Sequence, residues 1–207
     1  MGIAFKNELE KVSYALGVNM GEYFAHLPFD LNPDMAIRAI TDFFKNQIQM
    51  PPDEYQEMMK RFQQMMTEKT QSEVAKIAKA NAEAEEAFLA ANKEQPDVFT
   101  TESGLQYKVI TEGSGATPSP EDRVRVHYTG YLLNGKVFDS SVQRGTPVDF
   151  GVKQVIPGWS EALQLMKVGS KYKLFIPSRL AYGEHGAGQA IAPNAMLIFE
   201  VELLDIL

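Results

Sequence analysis

Apolar positions along this chain follow two periods, and the change from one to the other divides it. From about Asn7 to His26, Leu9, Val12, Leu16, Met20 and Phe24 recur at three- and four-residue steps, the spacing of one helical face. Pro28 ends that helix, and Asn32-Pro33-Asp34 opens a second with an N-cap residue and a proline in its first turn. Met35, Ile37, Ala39, Ile40, Phe43, Phe44 and Ile48 make the second helix apolar on more than one side. Two short helices cannot bury that surface by themselves, so a partner helix or a second copy of the chain has to cover it. Pro51-Pro52-Asp53 starts a third helix that meets no breaker before Pro96. At the usual rise it extends about 60 Å, longer than a small domain is wide. Tyr55, Met58, Met59, Phe62, Met65 and Met66 crowd its first third, which predicts a packed front end. Val74, Ile77, a run of alanines among Lys and Glu, then Phe88 and Leu89 follow. Alanine and charge sustain a helix by propensity alone, so this part reads as a solvated stalk.

Beyond Gln95-Pro96-Asp97 the period falls to two. Leu105, Tyr107 and Val109 alternate in one predicted strand, and Val124, Val126 and Tyr128 in the next. Asn134-Gly135 is a hairpin signal because both residues tolerate positive φ. Short strands follow through Val137-Phe138 and Val148–Phe150, and Ile156-Pro157-Gly158-Trp159 leads into a short helix with Trp159, Leu163 and Met166 on one face. Lys171–Ile176 gives another strand, a loop runs from Ser178 to Pro193, and Leu197, Phe199, Val201 and Leu203 form the inner face of the last strand. Gly113-Ser114-Gly115-Ala116 is a turn rather than a phosphate loop, since Thr117-Pro118 stands where a lysine and a helix start belong. Four or five strands around one short helix predict an α+β arrangement, a curved antiparallel sheet wrapped over that helix. The predicted division is a helical module over 1–70, the rest of the long helix over 71–96, and a sheet domain over 97–207.

Composition removes several classes of function. Twenty lysines and arginines against twenty-seven acids leave a formal charge of -7, without the basic stripe that nucleic acid needs. No run of about 18 apolar residues exists to span a membrane. Without cysteine there is neither disulfide nor thiol chemistry. His26, His127 and His185 are too scattered for a metal cluster, and methionines mixed with Phe and Tyr at helical spacing read as adaptable packing rather than a copper site. No cofactor is expected. The opening MGIAFKNELEKVSYALG lacks the features of a secretory signal, which makes the cytoplasm the default compartment and the periplasm the alternative if a signal has been removed.

The segment Val124–Trp159 gathers Tyr128, Phe138, Phe150, Val155, Ile156 and Trp159 around one acid, Asp139. That is material for an apolar pocket with one or two polar contacts, not for a nucleophile or a metal. A hydrolase pairing Ser140 or Ser141 with His127 and Asp139 is disfavoured. His127 faces away from its neighbour Tyr128 on the strand, and no nucleophile elbow is present. Taken alone, aromatic residues of this kind on a sheet are more often core than site, and it is the ordered motifs below that favour the site.

VHYTGYLLNGKVFDSS, VIPGW, LMKVGSK, AYG and LIFEVELL, in that order, resemble the FKBP-type peptidyl-prolyl cis-trans isomerases over the last half of the chain. The helical half in front resembles the Mip-like bacterial subgroup, in which a helical segment dimerises. The resemblance implies a homodimer acting on proline-containing unfolded or partly folded polypeptides, open to macrolide inhibitors. It also implies roles: Trp159 as pocket floor, with Tyr128, Phe138 and Phe199 as walls; the apolar Phe150 and Val155 read from the residues complete the pocket. The Ile156 N–H and the Tyr182 hydroxyl would hold carbonyl groups, and Asp139 would be a buried acid at the pocket edge. In the loop after Tyr182 the chain departs from members that bind macrolides tightly, placing Ala187 and Ala190 where a His-Pro pair and bulky apolar residues are usual, with Ile191 keeping one apolar contact. The alternative function is a dimeric holdase chaperone in which isomerisation is incidental.

Overall fold

The computed structural model describes residues 3–207. Among the described residues the chain folds as two compact units that divide after Ser72.

In the first unit, α1 (Glu8–Ala25) starts at Asn7, whose side chain accepts the Glu10 N–H, and α2 (Pro33–Phe44) starts at Asn32, which accepts the Met35 N–H with proline in the first turn. Both starts follow from Asn capping an orphan donor. The third helix, α3 (Pro52–Asn92), runs 41 residues without interruption. Phe29 meets Phe62 edge to face at 5.7 Å. The packed front end expected from the aromatic and methionine run is not what the single chain shows: Tyr55, Met58, Met59 and Met65 are exposed, and neither α1 nor α2 has a buried residue. Three helices with apolar residues on several sides have too few neighbours to enclose them. Among the described residues no helix is long and apolar enough to cross a membrane.

The second unit holds a sheet of seven strands, beyond the four or five expected around the helix: six lie at the stretches marked in the sequence, and one more precedes them. They are β1 (Val98–Thr100), β2 (Gln106–Thr111), β3 (Arg123–Leu132), β4 (Val137–Ser140), β5 (Val148–Gly151), β6 (Lys171–Ile176) and β7 (Leu197–Ile206). β1 carries too few residues to show a period, which is why the sequence pattern missed it. The order is β1-β2-β6-β7-β3-β4, with β5 also on β3, and every pairing is antiparallel. The long β3 therefore has β7 along its whole length and shares its other edge between β5 and β4. Alternation decides its faces: Val124, Val126 and Tyr128 are buried, while Arg123 and Arg125 are exposed. On the outer face Arg125 makes a two-pronged contact to Asp149 across the β3–β5 pair, at 2.8 and 2.9 Å. The inner face closes over α5 (Pro157–Leu163), which buries Trp159, Ala162 and Leu163.

Residues 73–96, read from the sequence as part of a stalk, fall in the same unit as the sheet. Ala78, Asn81, Glu85, Phe88, Leu89 and Asn92 are half-buried at three- and four-residue steps along α3, with the residues between them exposed. Phe88 packs on Phe175 of β6 at 5.7 Å, and the buried Gln106 donates to the Leu89 carbonyl and accepts from Asn92. Alanine and charge hid this stripe, because three of its six members are polar. A fragment 73–207 should therefore outlast 97–207 in urea. Phe88→Ala should cost that longer fragment about 2 kcal/mol, below the range for a fully buried phenylalanine. Equal midpoints for the two fragments would show that the helix lends the sheet no stability.

Candidate active site

Between the concave face of the sheet and α5 lies a pocket of about 390 Å³, lined by Tyr128, Phe138, Asp139, Phe150, Gln154, Val155, Ile156, Trp159, Tyr182 and Phe199. It brings together nine residues singled out from the sequence and adds Gln154, which carried no sequence signal. Trp159 is reached by three ring edges: Tyr128 at 5.3 Å, Phe199 at 5.2 Å and Phe150 at 5.7 Å, all close to perpendicular. Phe138 meets Phe199 edge to face at 5.5 Å. Perpendicular rings put positive edges on negative faces, which adds a preferred geometry to burial.

Each ring comes from a different element. Tyr128 is on β3, Phe138 on β4, Phe150 on β5, Trp159 on α5 and Phe199 on β7. Gly130, not marked out beforehand, makes that convergence possible. It pairs with Phe199 across β3–β7, and a Cβ there would lie 2.6 Å from Phe138 and 2.8 Å from Phe199. Its only sequence signal was a glycine inside a strand pattern. The α5 N-terminus is set by Pro157 at its first position, and the preceding Ile156 is extended. Among the described residues the Ile156 N–H makes no internal hydrogen bond, and it stands at the pocket.

The acid differs from expectation. Asp139 is not buried: its side chain is 40% exposed at the pocket rim, where it accepts from the Tyr128 hydroxyl and from Arg144 at the end of α4 (Ser141–Arg144). Arg144 also donates to the Tyr128 oxygen at 3.3 Å. Arg144 was missed, since its link to Asp139 depends on the turn of α4, which is too short to show a period. Partial burial alone would raise the Asp139 pKa, but the bonds from Tyr128 and Arg144 outweigh it and hold the carboxyl below its usual value. Burial, with the neighbouring carboxylate, pushes Tyr128 up, so it stays a neutral donor.

The residues singled out in the loop after Tyr182 stand apart from this lining. Ile191 is 6% exposed and belongs to the core, Ala187 is half-buried and Ala190 is exposed. A hydrolase constellation is not assembled either. His127 Nδ1 lies 3.1 Å from Ser141 Oγ, yet Ser141 is fully buried and accepts the Tyr128 N–H, while Asp139 turns to Tyr128 and Arg144.

Residues 115–204 match the family model of the FKBP-type peptidyl-prolyl cis-trans isomerase, and residues 9–109 that of the domain amino-terminal to it. FkpA of Aeromonas hydrophila, described as an FKBP-type peptidyl-prolyl cis-trans isomerase, is 46% identical over 95% of this chain and 76% of its own length. The chain belongs to the FKBP-type peptidyl-prolyl cis-trans isomerases. This isomerase is also 41% identical to the outer membrane protein MIP of Legionella longbeachae, over 95% of the chain and 85% of the relative. Among solved structures, Escherichia coli FkpA matches it with a TM-score of 0.85 at 36% identity, covering 98% of both chains. A peptidyl-prolyl cis-trans isomerase from Pseudomonas syringae pv. tomato matches with a TM-score of 0.59 at 41% identity, over 62% of this chain and 95% of that one.

The lowered acid sets the isomerase's response to pH. A carboxyl depressed in the folded state adds stability that is present above the unfolded value of about 3.9 and is lost as pH falls through its folded value. Rim stability should therefore be constant near neutrality and weaken only below about pH 4. Removing one donor, by Tyr128→Phe or Arg144→Leu, should raise the Asp139 midpoint followed by carboxyl NMR. An unchanged midpoint in both variants would contradict the rim assignment.

Proposed function

We propose that the isomerase works on its X-Pro bond in the Trp159-floored pocket, without covalent chemistry. The observation that carries this reading is the convergence of three rings on the Trp159 floor, with Phe138 packed on one of them and a single paired acid at the rim. Rotation about the amide faces a barrier of about 18–20 kcal/mol because the C–N bond has partial double-bond character. Twisting removes that conjugation and makes the carbonyl oxygen less negative. Water favours the planar, charge-separated amide, so an apolar wall of Tyr128, Phe138, Phe150, Val155, Trp159 and Phe199 favours the twisted one. Each tenfold gain needs about 1.4 kcal/mol of that preference. The proline ring would rest on Trp159, and the Ile156 N–H and Tyr182 hydroxyl would hold the flanking carbonyls. Asp139, held by Arg144, would keep the Tyr128 hydroxyl turned to the rim and take no proton. Macrolides would use the same floor, while Ala187 and Ala190 offer them little added contact.

Asp139→Leu and Phe138→Tyr test the pocket without opening a core cavity, as Trp159→Ala would. With the fold verified, each should lower kcat/KM on a Leu-Pro or Phe-Pro peptide by about tenfold or more. Parental rates in both would defeat the assignment of the site.

We further propose that two chains associate through the helical module of residues 1–70. Support comes from the apolar groove of about 880 Å³ between α1 and α2, walled by Leu16, Met20, Phe24, Ile37, Ile40 and Phe44, and from the exposed apolar residues around it. The same surface supports the chaperone reading as a second activity on unfolded chains, one that Asp139→Leu should leave intact. The cytoplasmic location finds no support in the relatives' names, and the one called outer membrane protein MIP favours the cell envelope. Light scattering at micromolar concentration should give about twice the chain mass, and Leu16→Glu with Ile40→Glu should give the mass of one chain. A monomeric parent would remove the proposal.

A further inference from the structure

α3 does more than lean on the outside of the sheet unit. Two turns of its half-buried stripe, from Ala78 to Glu85, reach both ends of the loop that carries Tyr182. At the entrance, the Ser178 N–H donates to Glu85 Oε2 at 2.8 Å. At the exit, Asn81 Nδ2 donates to the Pro193 carbonyl at 2.8 Å, and Asn194 Nδ2 donates to the Ala78 carbonyl at 3.4 Å. Asn81 and Glu85 are four residues apart, so they stand one above the other on the same face.

Between these anchors the loop is tied to itself. The Asn194 N–H donates to the Gly183 carbonyl at 2.8 Å, and Ala187 and Ile191 exchange hydrogen bonds at 2.8 and 3.1 Å. Gly186 turns there with φ of 64°, and a Cβ on it would lie 2.2 Å from the Ile191 carbonyl oxygen. Ile191 drops into the core. The loop is thus a closed piece with two ends, and a polar side chain of α3 reaches each of them, while Arg179 near the entrance also donates to the Ser103 carbonyl. Its one pocket-lining residue, Tyr182, lies four positions beyond Ser178 and next to Gly183.

We infer that Asn81 and Glu85 are positioning residues for the isomerase reaction. They set where the Tyr182 rim stands over the pocket, and through it which residue before proline is accepted. This rests on the pocket reading given above. The proline ring fills the floor whatever the loop does. The residue before proline passes over the rim, so a displaced Tyr182 is felt there first. Helix and loop are joined by hydrogen bonds with fixed directions, so a small change of register moves the rim as a unit. Asn92, on the same stripe, bonds Gln106 of β2 instead of the loop.

The test uses the full chain and measures kcat/KM on peptides with Ala, Leu or Phe before proline. Asn81→Leu, Glu85→Leu and the double variant each remove a hold. Glu85→Gln keeps an oxygen for the Ser178 N–H. Asn92→Leu perturbs the same helix face away from the loop. The Leu-Pro to Ala-Pro ratio should shift about three- to fivefold in Asn81→Leu and in Glu85→Leu, the size of one net hydrogen bond. It should stay parental in Glu85→Gln and in Asn92→Leu, although Asn92→Leu should lower Tm. The singles keep the idea testable if the double does not fold. A parental ratio in both singles, or the same shift in Asn92→Leu, overturns the inference. Asp139→Leu runs beside them. If it loses activity while the ratios stay parental, only the helix's role falls. If it keeps full activity, the pocket reading falls and this inference with it.

Discussion

Trp159 held between three perpendicular ring edges is the contact on which the catalytic unit depends. The indole is 4% exposed and receives Tyr128, Phe150 and Phe199 from three separate strands. Those strands are brought within reach by the pairing of β3 with both β5 and β7, and by the curvature that closes the sheet over α5. Burial of so much aromatic surface stabilises the fold, and the same rings make one wall of an open pocket. On the proposed reading of the pocket, core and site are one structure: a substitution on the floor would act on stability and catalysis together, and one at the rim mainly on catalysis.

Polar groups are confined to the edge of this apolar floor. Asp139, Tyr128 and Arg144 satisfy one another where solvent still reaches the acid. Had the carboxylate been fully buried, its desolvation would have raised its pKa and set a proton equilibrium beside the substrate. At the rim, with two donors, it stays charged and holds Tyr128 in place. If catalysis works by excluding water, as proposed, the enzyme gains from keeping its charges paired and peripheral, and the pocket's acid is paired at the rim.

The two units solve different problems of surface. The sheet unit encloses its apolar residues and recruits the last turns of α3 to cover Phe175 and to satisfy Gln106. The first unit leaves Leu9, Phe44 and Ile37 well exposed within one chain. A helix stripe can be covered by whatever lies beside it, so the same pattern of residues serves packing within a chain, between chains, or against a client.

Much of this protein was determined locally and could be read without coordinates. Asn7 and Asn32 cap helices because a short oxygen acceptor suits an orphan N–H, and the alternation through Val124, Val126 and Tyr128 assigns a face whatever the strand pairs with. Asn134-Gly135 turns where only such residues turn easily, and Gly135 has φ of 82°. The pocket aromatics were legible from their types and from motif order. Tertiary structure decided what depends on partners distant in sequence. It placed Asp139 at the rim rather than inside, because Arg144 comes around α4 to meet it. It gave Gly130 its purpose, since only the convergence of Phe138 and Phe199 forbids a side chain there. And it turned a stretch of alanine, lysine and glutamate into a half-buried face, because a polar residue shows no period until the backbone group it bonds has been brought beside it.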